Sequence, residues 1–158
     1  KTPELIEACK VSLLDRGFGQ KSGANGSGWG KANKVNLWAR AKDGNRAYSM
    51  LRELINKNIA PNLWDFHPPY QMDGNCGYTS GVCEMLCYSS DDIIELLPAL
   101  PEEWKNGSVK GLCARGGYSL DFTWENGEIK SLSVYSSCGK KTARIKTGDE
   151  IKTVKTVG

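Results

Sequence analysis

The hydrophobic period of this chain changes once along its length, from helical spacing before about Ser89 to alternation after Val109. Thr2 to Leu14 reads as a helix: Thr2 can cap it, Pro3 suits its first turn, Glu4 favours its positive end, and Leu5, Ile6, Cys9 and Leu13 recur on one side. Gly17 and Gly19 stop it, and a Gly/Ser/Asn loop follows from Lys21 to Gly30. The spacing predicts a second helix from Trp29 to Ala41, with Ala32, Val35, Leu37, Trp38 and Ala39 as its apolar surface. Asp43 then looks like the cap of a third helix to about Asn56, with Ala47, Met50, Leu51, Leu54 and Ile55 on one face. Asn58 to Tyr70 is irregular and carries Pro61, Pro68 and Pro69. Asn75, as N-cap, restarts the chain as a helix to about Ser89. Gly77, Ser80 and Gly81 along it would let another helix approach closely, which makes it the central one.

After Asp91 the character changes. Ile93 to Pro101 is an apolar connection bounded by prolines. Tyr118, Leu120, Phe122 and Trp124 then alternate with Ser119, Asp121, Thr123 and Glu125, the pattern of a half-buried strand. Asn126-Gly127 is a hairpin signal, Leu132 and Val134 continue the alternation on the return strand, and Thr142 to Thr147 and Ile151 to Val157 supply two more short strands. The fold class is thus mixed, α then β: about four helices over residues 1–90, then an antiparallel β-subdomain over residues 91–158.

Charge alters this picture little. Twenty-one basic against 18 acidic residues leave a formal +3, too small and too dispersed to point to nucleic acid. The locally basic run from Lys140 to Lys155 reads as a solvated edge of the β-subdomain. No apolar run approaches the ~18 residues a membrane span needs. The six cysteines, at 9, 76, 83, 87, 113 and 138, include Cys83 and Cys87 on one helix face, which raises a metal site. Val82, Met85 and Leu86 around them, with no histidine at ligand spacing, favour small buried thiols in a reducing or anaerobic setting instead, and no metal is expected. The opening Lys1 does not read as a native start.

The chemistry gathers in Asp65 to Asn75, which holds two carboxylates, the sole histidine, two side-chain amides and a Pro-Pro pair. Loops between rigid elements are where chemistry sits. Asp65 and Asp73 form a candidate pair for acid–base hydrolysis, but the spacing leaves their separation open, and Asp-Gly-Asn is equally ordinary turn chemistry. His67, before a proline, fits a structural role as well as a binding one. Trp29 can wall a pocket or fill a core. Five tryptophans and six tyrosines suit either a core or a sugar-binding surface.

The run Asn62-Leu63-Trp64-Asp65-Phe66-His67-Pro68-Pro69-Tyr70-Gln71-Met72-Asp73-Gly74-Asn75-Cys76-Gly77 strongly resembles the N-L-F-D-x-H-P-P-F-Q-I-D-G-N-F-G pattern of glycoside hydrolase family 95, the inverting α-L-fucosidases. Gly28-Trp29, Leu37-Trp38-Ala39-Arg40 and Asp43-Gly44 resemble that family's T-G-W-S…W-A-R-L-x-D-G segment. Glu84-Met85-Leu86, Leu96-Leu97-Pro98-Ala99-Leu100-Pro101, Trp104 and Val109 to Tyr118 follow its E-M-L…L-L-P-A-L-P…W…V-K-G-L-R-A-R-G-G-F run. The resemblance implies the closing helices of an (α/α)6 catalytic barrel followed by a C-terminal antiparallel β-sandwich. Such a barrel needs many more helices than are read here, so the chain is expected to be the C-terminal portion of a longer enzyme, with the rest of that barrel as its partner.

By the same resemblance Asp73 is the general base, drawing a proton from the attacking water, while a glutamate upstream of this chain protonates the leaving oxygen. In inverting enzymes the two carboxyls stand about 6.5–9.5 Å apart to admit that water. His67 matches a histidine of the sugar pocket. Gln71 and Asn75 either orient Asp73 or bind hydroxyls, Trp29 stacks on a sugar face or packs in the core, and Asp65 drops to a structural role. Glu84 falls in a structural helix and does not replace the missing acid. The implied substrate is an oligosaccharide or glycan with a terminal α-L-fucosyl unit, α-1,2-linked, and no cofactor is implied. Asn33, Ser27, Cys76 and Cys113 depart from the pattern where the family has tryptophan, threonine, phenylalanine and arginine, and none of them touches Asp73 or His67 in the sequence motif. A related α-L-galactosidase and a non-catalytic glycan-binding module remain the competing readings.

Overall fold

A computed structural model describes residues 2–17, 26–66 and 70–157. Its order is four helices, then seven strands: α1 Pro3–Asp15, α2 Gly28–Arg40, α3 Gly44–Asn58, α4 Met72–Leu86, β1 Cys87–Ser89, β2 Ile94–Leu96, β3 Gly107–Ala114, β4 Tyr118–Glu125, β5 Glu128–Ser136, β6 Thr142–Thr147 and β7 Glu150–Lys155. The expected sequence of helices and then strands is what forms.

The helices end where local chemistry ends them. Gly17 takes a left-handed φ of +57° and donates its N–H to Leu14 O, closing α1. Thr2, expected to cap α1, makes no side-chain cap bond, whereas Asp43 does cap α3, its Oδ1 accepting from the Arg46 N–H at 3.0 Å. Ala47, Met50, Leu51 and Leu54 of α3 are buried as the spacing predicts. Ile55, placed on the same face by sequence, is 46% exposed, because it lies a further 100° around the helix from Leu54. On α1 only Leu13 is buried, while Leu5, Val11 and Leu14 are exposed.

The central contact is α2 against α4. Going along both chains, Gly28 faces Gly74 across Asp65, Gly77 meets Ala32, Gly81 meets Val35, and Arg40 pairs with Glu84 at 2.8 Å, so the two helices run parallel. A Cβ on Gly77 would stand 2.8 Å from Ala32 Cβ, and one on Gly81 2.5 Å from Val35 Cγ1. The helices therefore pack at a distance only glycine permits. Asn36 adds a polar clamp, donating to Ala32 O and Gly77 O at 2.9 and 2.8 Å and accepting from the Ser80 hydroxyl at 2.9 Å.

The β-subdomain has two sheets, a four-stranded one in the order β1-β2-β6-β7 and a three-stranded β3-β4-β5 meander. The pairing is antiparallel except between β2 and β6, which are parallel. Leu120, Phe122 and Trp124 point inward, and the Asn126-Gly127 turn has φ of +51° and +77°, the pattern of a primed hairpin turn. Val157 donates its N–H to Val134 O, tying the chain end back onto the meander. Trp104 joins the helical core to the sandwich core: its ring stands edge-on to Tyr48 at 5.6 Å, and its carbonyl accepts from the Trp124 indole at 2.8 Å.

Two expectations are corrected here. The stretch read as an apolar connection contains β2, and the end of the expected last helix becomes β1; three-residue strands are too short for alternation to show, and Ile94, Glu95 and Leu96 are all buried. Of the six thiols read as buried, Cys9, Cys76, Cys113 and Cys138 are exposed. Cys83 and Cys87 are partly buried, and burial pushes the Cys83 thiol up and the Cys87 thiol up to about 12, which keeps both protonated and weakly nucleophilic. Among the described residues no three His, Cys, Asp or Glu side chains gather as a metal site, and no helix is long and apolar enough to cross a membrane.

Glu95 is the ionic joint between the two halves. Its Oε1 accepts from Lys42, in the α2–α3 turn, at 2.6 Å and from Lys146 of β6 at 3.1 Å. Burial pushes its carboxyl up, but the bonds from Lys42 and Lys146 outweigh burial and hold it below the usual value. A depressed folded value means stability present above the unfolded carboxylate value, about 4.3, and lost as pH falls through the folded one. The Tm difference between the protein and Glu95→Gln is therefore expected to be widest at neutral pH and to close below about pH 4, read by thermal unfolding across pH.

Candidate functional site

The segment between α3 and α4 folds back on itself before α4 begins. Leu63 sits at φ +69°, the Asn62 side chain accepts from the Trp64 N–H at 3.2 Å, and Ala60 N–H donates to Trp64 O at 2.8 Å. Ile59 and Asp65 pair as an isolated antiparallel bridge. The tight turn delivers Asp65 into the gap between the starts of α2 and α4, where it is fully buried. A Cβ at either Gly28 or Gly74 would overlap its carboxylate. Asp65 is thus not part of an exposed carboxylate pair, in keeping with its assignment to structure.

Asn75 and Asn58 lock this turn. The Asp65 N–H donates to Asn75 Oδ1 at 2.9 Å and Asn75 Nδ2 donates to Leu63 O at 2.6 Å, so both ends of that amide hold the turn. The helix begins at Met72, with Gln71 as the N-cap residue, which corrects the expectation that Asn75 caps it. Asn58 O accepts from the Phe66 N–H, its Oδ1 accepts from the buried Lys31 Nζ at 2.8 Å, and its Nδ2 donates to Gly26 O at 3.4 Å. Lys34, one turn along α2, donates to the carbonyls of Arg16 and Gly17 at 3.3 and 2.6 Å; burial, then the positive charges of Arg16 and Lys31, lower its pKa.

On this frame Asp73 stands in the first turn of α4, its side chain exposed, at the end where a helix favours negative charge. Trp29 occupies the first turn of the neighbouring α2 and is 43% exposed. The parallel packing brings both to the same end of the helix pair, on either side of Asp65. Gln71 precedes them, its N–H on Asp65 O at 3.4 Å and its Oε1 buried without a partner among the described residues. Trp64 and Tyr70 stack across the turn, ring centroids 4.6 Å apart. His67 lies outside the described residues. Sequence reasoning missed Asn58, Lys31, Gly28 and Gly74 as builders of this site. The small residues read along α4, Gly77, Ser80 and Gly81, were the signal that pointed to this packing.

These features define a class: a closely packed parallel helix pair bearing an exposed carboxylate at one helix start, followed by an appended strand sandwich. Residues 1–86 match the glycosyl hydrolase family 95 catalytic domain, and residues 88–157 match the glycoside hydrolase family 95 C-terminal domain. The chain is 34% identical over 148 residues to alpha-L-fucosidase 2 of Arabidopsis thaliana, covering 86% of this chain and 17% of that protein. It is 35% identical over 136 residues to a probable alpha-fucosidase A of Aspergillus oryzae, covering 75% and 18%, and 31% identical over 159 residues to one of Aspergillus niger, covering 90% and 20%. The chain belongs to glycoside hydrolase family 95. It spans about a fifth or less of the length of these curated relatives.

Adding a methyl at Gly28 or Gly74 must displace the Asp65 carboxylate. Each of Gly28→Ala and Gly74→Ala is expected to lower stability by about 2–4 kcal/mol, read as a shifted urea midpoint with unchanged slope.

Proposed function

We propose that the parent of this chain is an exo-glycosidase that releases terminal L-fucose from α-1,2-linked oligosaccharides with inversion, and that this chain supplies its closing helices, its general base and its C-terminal sandwich. The observation that carries the reading is Asp73: an exposed carboxylate held in the first turn of a glycine-packed helix, in a chain of family 95. Similarity to proteins named alpha-fucosidase supports fucose as the sugar.

In the proposed reaction Asp73 accepts a proton from water as the water oxygen bonds to the anomeric carbon. The bond from that carbon to the leaving oxygen breaks, and an acid outside this chain protonates the departing hydroxyl, so configuration inverts. Trp29, at the same end of the helix pair, offers a ring face to the sugar. Gln71 is proposed to contact a sugar hydroxyl, and His67 a ring hydroxyl on the grounds of its sequence position. Asn75, with both ends of its amide engaged by the turn, contributes by orienting the residues around Asp73.

The apolar side of α1 fits the same reading. Leu5, Ile6, Cys9 and Leu13 line a groove with Leu37 and Ala41 of the α2 end, and we place a further helix of the parent's barrel there. The isolated chain, its helix faces uncovered, is expected to self-associate, seen as an apparent mass above 17.3 kDa in sedimentation.

The full-length parent is expected to release fucose from 2′-fucosyllactose with the β anomer appearing first by NMR. Asp73→Asn should lower kcat by about 10²–10⁴-fold with the fold intact by circular dichroism. Turnover unchanged in that variant would remove Asp73 as base, and an α first product would remove inversion.

A further inference from the structure

The strongest piece of construction beside Asp73 is a residue that does not reach the surface. Asp65 is fully buried, and its carboxylate occupies the space between Gly28, the first residue of α2, and Gly74, in the first turn of α4. The first N–H groups of a helix have no acceptor within it, and negative charge is favoured at that end. A single carboxylate here lies against two helix starts at once. Its main chain is equally engaged: the N–H donates to Asn75 Oδ1, one turn along α4 from Gln71, and the C=O accepts from the Gln71 N–H. Asp73 lies between those two attachment points and next to Gly74.

We propose that Asp65 is the positioning residue of this site: wedged between the starts of α2 and α4, it sets the direction in which the first turn of α4 presents Asp73. The proposal rests on Asp73 being the base. Exposed side chains in the first turn of a helix follow the backbone of that turn, and this turn is tied to Asp65 at both ends, through the main chain of Gln71 and the side-chain amide of Asn75. Gly28 ties the same wedge to the turn bearing Trp29, so the carboxylate also holds that ring's turn against that of Asp73. A misplacement of about 1 Å at a reacting group can lower rate by about 10²-fold. The wedge is the part of the structure that prevents it.

The test uses the full-length parent with 2′-fucosyllactose. Asp65→Asn keeps the shape of the wedge and exchanges its carboxyl for an amide. Its kcat per folded molecule is expected to fall about 10–100-fold while KM stays within about threefold, because the turn that carries the base is displaced and most sugar contacts are not. Gly74→Ala, which pushes the wedge from the other side, should give the same split. Asp65→Asn added to Asp73→Asn should cost no further rate, since both act through one group. Amide hydrogen exchange supplies a readout independent of activity: in Asp65→Asn the amides of residues 73–76 should exchange roughly tenfold faster, with those of residues 80–86 unchanged. A lowered Tm with kcat per folded molecule intact, rate losses that multiply in the double variant, or unchanged exchange in the first turn would each overturn the proposal. Full turnover in Asp73→Asn alone would overturn the base assignment instead, and exchange would still decide the role of Asp65.

Discussion

Everything in the helical half depends on how closely α4 lies against α2. Glycine at 77 and 81 allows Ala32 and Val35 to sit where side chains would otherwise stand, and Asn36 fills the remaining polar gap with three hydrogen bonds. Packing at this distance has no slack, because a methyl added at either glycine would overlap the facing side chain. The relative height of the two helix starts follows from it. So does the narrow space between Gly28 and Gly74 that the Asp65 carboxylate fills.

The candidate site therefore depends on helix packing together with the hairpin that fills the gap it leaves. Asp73 and Trp29 are each one residue away from a glycine that touches the same buried carboxylate. The hairpin before α4 exists to bring Asp65 into place, and the amides of Asn75 and Asn58 hold that hairpin to α4, α2 and the chain before α2. A carboxyl buried this completely needs compensation from its surroundings, and the positive ends of two helices lie beside it.

The strand half meets the helices through two joints of different kinds. Trp104 is apolar and directional, its ring in the helical core and its carbonyl on the Trp124 indole. Glu95 is ionic and sits between a lysine from each half. Lys42 reaches it from a left-handed φ of +59° in the turn between α2 and α3. The sandwich thus grips the α2–α3 turn, at the opposite end of α2 from Trp29 and Asp73.

Local pattern was enough for much of this protein. Helical spacing located α2 and α3 within two residues at either end, alternation from Tyr118 to Trp124 marked β4 and its inward face, and Asn126-Gly127 marked the turn. The motif from Asn62 to Gly77 carried the family and singled out Asp73. These features are legible because each depends on residues near one another in the chain. The three-residue strands β1 and β2, the parallel pairing of β2 with β6 and the exposure of Cys9, Cys76, Cys113 and Cys138 were decided by neighbours distant in sequence. The start of α4 belongs with them. Asn75 has a good capping residue's chemistry, but its amide is drawn to the Leu63–Asp65 turn, and the helix begins three residues earlier. The burial of Asp65 is the extreme case: a charged residue in a polar, proline-rich stretch reads as surface, and only the meeting of two glycine-faced helix ends makes its place in the interior.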